Sequence, residues 1–159
     1  MRFSHELFYD AAPETVYAML VDEEFRSQVC DYQRVLRHRI SVEEVDGAVV
    51  VDVDQVQSTQ YVPATARGFV GSEIEIEQRE TWHSPTEATL VVTIPGRPGR
   101  MDGRIVLSER DGGTVESVTG EIRVGIPLIG GKLEQMVGQV FGWALDAEAR
   151  VGADWLTAD

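Results

Sequence analysis

The sequence predicts an α+β fold, a seven-stranded antiparallel sheet with its helices gathered on one side. Three observations carry this. Between Arg34 and Ile126 almost every stretch alternates apolar and polar residues with period two, the mark of strands. Turn signals at Asp46-Gly47, Ser84-Pro85, residues 95–100 and residues 110–113 divide that stretch finely enough for hairpins, so sequential strands run antiparallel. The tail from Leu128 to about Leu156 changes to the three-and-four apolar spacing of a helix. Strands grouped together, with helices before and after them, define the α+β class.

The elements follow in order. Residues 2–10 alternate, with Phe3, His5, Leu7 and Tyr9 on one side, and read as the first strand. Pro13 suits a first helical position and Glu14 the positive end of the helix dipole. Val16, Leu20 and either Tyr17 or Met19 form the apolar face of that helix. Asp22 caps a second helix carrying Phe25, Val29 and Cys30. Two short helices are expected, at about 13–21 and 22–31. Leu36, His38, Ile40 and Val42 then alternate, followed after Asp46-Gly47 by Val49, Val51 and Val53. Residues 58–71 break the pattern with Pro63, Gly68 and Gly71 and read as a long loop with exposed aromatic candidates Tyr61 and Phe69. Ile74, Ile76, Gln78, Glu80 and Trp82 share one phase, and Glu73, Glu75 and Glu77 take the solvent side. Ala88, Leu90, Val92 and Ile94 follow, then Met101, Ile105 and Leu107, then Val118, Ile122, Val124 and Ile126. Pro127 closes off strand pairing. In the tail, Leu133, Val137, Val140, Ala144, Ala147, Val151 and Trp155 line one helical face, widened by Met136, Phe141 and Leu145.

Composition narrows the function classes. A chain of 159 residues suits a single domain, 1–159, with one core. No apolar run approaches the roughly 20 residues that span a bilayer, so integral membrane association is not expected. The opening "MRFSHELFYD" lacks the apolar segment of a signal peptide, and the lone Cys30 cannot form an internal disulfide. Both point to the cytoplasm. A formal net charge of -13 repels nucleic acid and anionic lipid, so no nucleic-acid partner is expected.

Catalytic motifs are sparse. "GIPLIGGKL" at 125–133 has the glycines and lysine of a phosphate loop. That pattern requires a glycine at 126 and a hydroxyl at 133, where the chain has Ile126 and Leu133. The stretch reads instead as the joint between last strand and long helix, with Gly130-Gly131 allowing a sharp redirection. There is no dinucleotide fingerprint and no nucleophile elbow, and the histidines and cysteine lack zinc-ligand spacing, so neither cofactor nor metal is expected. Arg97, Arg100 and Arg104 read as a solvated turn.

The element order, with "HELFYDAAPETVYAMLVDEEF" at its start and "GIPLIGGKLEQMVGQVFGWALDAEARVGADWL" at its end, resembles the START-like, or SRPBCC, superfamily. That superfamily includes lipid-transfer domains, birch-pollen-allergen-like proteins and aromatic polyketide cyclases. The first segment is similar to its first strand and Ala-Pro-x-x-Val-aromatic helix entry, the second to its gripping helix. The likeness is to an uncharacterised actinobacterial branch and covers essentially the whole chain. It implies a helix-grip fold, in which a curved sheet wraps the long C-terminal helix. It also implies binding or carrying of a small hydrophobic, lipid- or polyketide-like molecule in a cavity between them, several hundred Å3 in size and opening near 58–71. The alternation supplies the expected ligand-binding residues: His38, Ile40, Val51, Ile76, Gln78, Glu80, Trp82, Leu90 and Leu107 on the sheet, facing Val137 and Phe141 on the helix. The same side chains would equally fill a solid core.

Two other functions stay open. His38 and Glu80 share the inward phase and would serve a cyclase- or dehydrase-like enzyme as acid and base, if both reach one substrate. His38 could equally be a histidine satisfied by a neighbouring strand, and a bulge would turn Glu80 to water. A ligand-free interaction module is the other alternative. For it, Gly131, Gly138, Gly142 and Ala149 form a small-residue stripe, placed away from the apolar centre, that would admit a second copy in a homodimer.

Overall fold

The structure, a computed structural model, describes residues 1–60 and 62–158, without the side chains of residues 65, 66 and 69. The expected aromatics Tyr61 and Phe69 therefore lie outside the described residues and side chains. The order is β1 (Arg2–Tyr9), α1 (Pro13–Leu20), α2 (Glu23–Tyr32), β2 (Arg37–Val45), β3 (Ala48–Ser58), α3 (Ala64–Val70), β4 (Glu73–Ser84), β5 (Glu87–Thr93), β6 (Gly99–Arg110), β7 (Gly113–Val124) and α4 (Gly130–Thr157). The seven strands form one antiparallel sheet in the order β1-β7-β6-β5-β4-β3-β2. This is the expected α+β architecture, with the first strand carried to the far edge beside the last.

Local chemistry explains the joints. Asp46 and Gly47 both take positive φ, as do Asp111 and Gly112, which is the geometry of a tight type I′ hairpin turn. Pro13 opens α1, and the Asp22 side chain accepts from the Glu24 and Phe25 amides to cap α2. The segment expected as a loop at 58–71 contains a short helix, α3.

Register shows what faces inward. One row crosses all seven strands: Phe3, Gly120, Gly103, Leu90, Glu80, Val51 and Val42. At its centre Gly103 pairs with Gly120. A Cβ on Gly120 would lie 2.6 Å from the Asp102 carbonyl oxygen and 2.9 Å from the Gly103 Cα. The strands approach closely here, and only residues without side chains fit.

The long helix differs from expectation in two ways. It starts at Gly130, two residues later than expected. The sharp redirection is made by Leu128, which is fully exposed with a φ of 71°. Gly130 is required for closeness instead, since a Cβ there would sit 2.5 Å from the Val124 carbonyl oxygen. Glu134 accepts from the Val124 amide at 2.9 Å, tying the first turns of α4 to β7.

Its buried face is also rotated from the expected stripe. Gly138, Gly142, Leu145, Glu148, Val151 and Gly152 are buried, whereas Val140 is exposed. Gly138 lies against Met1 and Ile122, and Gly142 against His5. The glycines at 138 and 142 thus let α4 settle onto β1 and β7, and are not open to a second chain. Phe3 meets Phe141 edge-on at 5.2 Å, and Phe25 meets Trp155 at 5.6 Å, closing α4 onto the sheet and onto α2.

Candidate functional site

Arg26 is the centre of the inner face. It belongs to the first turns of α2, between Phe25 and Val29, in the phase that the capped helix turns inward. Its Nε donates to the Leu20 carbonyl at 2.7 Å. One terminal nitrogen donates to Glu80 at 2.6 Å and the other to Glu148 at 3.4 Å. Glu80 comes from β4 and Glu148 from α4, so this one side chain links α2, sheet and gripping helix. The register irregularity in β4 lies between Trp82 and Ser84, beyond Glu80, so Glu80 keeps its inward phase.

Both oxygens of Glu80 are occupied. Oε1 also accepts from the Trp82 indole at 3.0 Å, and Oε2 accepts from the Gln78 amide at 2.7 Å. Glu148 is held more loosely, by Arg26 and by the Tyr9 hydroxyl at 3.3 Å. Glu116 on β7 completes the cluster. It is fully buried, and its Oε2 has no partner among the described residues. Three carboxyl groups therefore surround one guanidinium.

The protonation pattern follows. Burial, then repulsion from Glu148 and Glu80, push the Glu116 carboxyl well above the ordinary range. These shifts favour the protonated form of Glu116 beside Glu148, with Glu116 as the donor of the pair. Glu148 is itself raised by burial, a rise that Arg26 opposes and Glu80 reinforces. Burial works against the charge on Arg26, but Glu80, Glu148 and Glu116 outweigh it and hold its pKa above the usual value. Burial, reinforced by Glu148, raises Tyr9 and keeps it a neutral donor. Among the described residues no His, Cys, Asp and Glu side chains group to hold a metal ion. Arg26 stands where a cation would.

Beside this cluster lies a cavity of about 40 Å3. Arg26 and Cys30 of α2, Gln33 at its C-cap, Gln55 of β3, Gln78 of β4, and Phe141 and Glu148 of α4 are among its walls. It is far smaller than the several hundred Å3 expected, and has room for roughly one to three waters. It lies between α2, α4 and the sheet.

Of the residues expected to bind ligand, Gln78 and Phe141 line this cavity. Ile40, Ile76 and Val137 are half-buried. Val51, Leu90 and Leu107 are buried in the hydrophobic core, and none of them lines the cavity. Trp82 is buried against Tyr17, its indole nitrogen serving Glu80. His38 is exposed and bonded to the Ser27 hydroxyl at 3.1 Å. His38 and Glu80 lie on one face but two strands and four residues of register apart, roughly 16 Å at ordinary strand spacings. They do not converge on one substrate.

Sequence reasoning passed over Arg26, Glu116, Glu148 and Tyr9 as polar members of the site. The signal was present. Glu116 shares the period-two phase of Val118 and Ile122, and Glu148 the helical phase of Leu145 and Val151.

Comparison with known proteins places this geometry. The uncharacterized proteins Rv0481c of Mycobacterium tuberculosis and Mb0491c of Mycobacterium bovis are each 28% identical over 118 residues, covering 70% of this chain and 68% of theirs. Among solved structures, TTHA0849 from Thermus thermophilus matches with a TM-score of 0.67 at 17% identity, covering 97% of this chain and 95% of that one. Ara h 8.0201 matches at 0.61 and 15% identity, covering 96% and 97%. The di-domain ARO/CYC BexL from the BE-7585A biosynthetic pathway matches at 0.61 and 18% identity, covering all of this chain (100%) and 50% of that one. These likenesses establish the START-like helix-grip fold. The model of the family described as "Protein of unknown function (DUF2505)" matches residues 4–156, and the chain belongs to that family.

Proposed function

We propose that the protein binds and carries a small, largely apolar molecule between the sheet and α4. The observation that carries this reading is the cavity at the sheet–helix interface, whose walls combine apolar Val53, Phe141 and Leu145 with Gln78, Arg26 and Glu148. An apolar pocket with a few placed polar groups is the usual form of a small-molecule site. Half-buried Ile76 and Val137 lie next along β4 and α4 and extend the apolar surface beyond it. At about 40 Å3 the cavity takes only one end of a ligand, so binding displaces α4 or uses this extension. The lone buried Cys30 supports a carrier working in the cytoplasm.

Native mass spectrometry of protein purified from its own host tests this. The expected result is a co-purifying organic molecule that disappears in Ala144→Leu, a substitution that fills the cavity. A bare mass, together with no binding of an apolar fluorophore by the wild-type chain, overturns the reading.

A further inference from the structure

We propose that the ligand is a lipophilic amine, its ammonium group seated against Glu148 at the deep end of the cavity. This rests on the ligand-binding reading above and specifies its chemistry.

Most polar walls of the cavity present acceptors, with the exception of Gln55, whose carbonyl oxygen already accepts from the Gln57 amide at 2.8 Å. Gln78 must turn its amide nitrogen toward Glu80, because a carboxylate without a proton can only accept. Gln33 turns its amide nitrogen to the Ala144 carbonyl at 3.3 Å. Arg26 has each of its three nitrogens engaged, with Leu20, Glu80 and Glu148, which uses three of its five N–H donors and turns them toward carboxyl and carbonyl oxygens. What remains for a ligand is the Glu148 carboxylate, whose partners Tyr9 and Arg26 stand at 3.3 and 3.4 Å and which Glu116 also approaches, and the carbonyl oxygens of Gln78 and Gln33. Behind Glu148, the buried Glu116 Oε2 is an oxygen with no partner among the described residues. A buried polar atom in that state is costly, and a donor reaching the cluster relieves it.

Charge points the same way. The cluster sets three carboxyl groups against one guanidinium, inside a chain of net charge -13. An ammonium brings three N–H donors and the missing positive charge. A carboxylate or phosphate would bring only acceptors and like charge into the same space. Size agrees too, since about 40 Å3 suits a head group of water-like dimensions. The apolar body then lies outward along Phe141 and Val137, which are one helical turn apart.

The test is calorimetric titration of the full chain at neutral pH with three probes of equal length: hexylamine, hexan-1-ol and hexanoate. The expected result is hexylamine binding about tenfold more tightly than either of the others. Glu148→Gln should bring hexylamine to within about threefold of hexan-1-ol, with the fold checked by circular dichroism. If Glu148→Gln fails to fold, Ala144→Leu serves in its place, and hexylamine binding retained there overturns the seating. Hexan-1-ol or hexanoate binding as tightly as hexylamine overturns the amine inference and leaves the apolar-ligand reading intact. No binding by any of the three overturns both.

Discussion

Arg26 on α2 and Glu80 on β4 meet at 2.6 Å, with no more than 4% of either side chain exposed. An ion pair this deep depends on both partners, because either charge left alone is buried without compensation. Arg26→Met should therefore lower the unfolding free energy by about 3–5 kcal/mol. Arg26→Lys should lose less but still measurably, since an ammonium cannot reach Leu20, Glu80 and Glu148 with fixed, separate donors. Urea unfolding of the two variants checks both. A loss in Arg26→Met of under about 1 kcal/mol, the worth of a surface pair, contradicts the assignment.

The stability of the protein should fall as pH rises above the acid range, and Glu116 is the main reason. The groups facing it are Glu148 from α4, Glu80 from β4, Arg26 from α2 and Tyr9 from β1. Its folded pKa lies well above the unfolded value of 4.5, so the folded state holds a proton that the unfolded state has released. The stabilisation is full below 4.5 and is lost as pH climbs toward the folded pKa. One such group changes stability by about 1.4 kcal/mol per pH unit within that window. Glu116→Gln keeps the shape and a donor but cannot ionise. Its melting temperature should decline less steeply with pH than that of the wild type, leaving the contribution of Glu148, which has the same sign.

Two glycines of α4 should respond oppositely to alanine. Around Gly131 there is open space, so Gly131→Ala should gain up to about 1 kcal/mol of helix propensity. At Gly152 an added Cβ would stand 2.5 Å from Tyr9 Cε1 and 3.2 Å from Met19 Cε. Tyr9 cannot retreat without loosening its bond to Glu148. Gly152→Ala should therefore lose about 1–3 kcal/mol, and paired thermal melts distinguish the two directions.

Burial pushes the Cys30 thiol up to about 11. Its reaction with a disulfide reagent near neutral pH should be slow in the folded protein and complete on unfolding. Because Cys30 also lines the cavity, a bound ligand should slow labelling further. A rate equal to that of a free thiol would show that the α2 wall opens readily.

The fold was legible in the sequence because alternation, turn pairs and the Asp22 cap are local signals. Every inward residue read from the alternation in β3 to β6, from Val51 to Leu107, takes the inner face in the sheet register. The site was legible only in part. Glu80 could be placed by phase, but its meaning depends on Arg26, 54 positions earlier, and on Glu148. Hydrophobic patterning rewards apolar residues, so charged ones at apolar positions, such as Arg26 and Glu116, drop out as noise although their burial is the informative fact. The rotation of α4 was missed for a related reason. Glycines score as weak helix formers, whereas at 138, 142 and 152 they are the face that α4 turns to its neighbours Ile122, His5 and Tyr9.

The close approach at Gly103 and Gly120 sets a limit on how the sheet behind the cavity can change. A contact that exists because two side chains are missing can be loosened by substitution but not tightened, since nothing is smaller than hydrogen. A change in the volume of the cavity must therefore come through α2 and α4, with the sheet as a fixed wall.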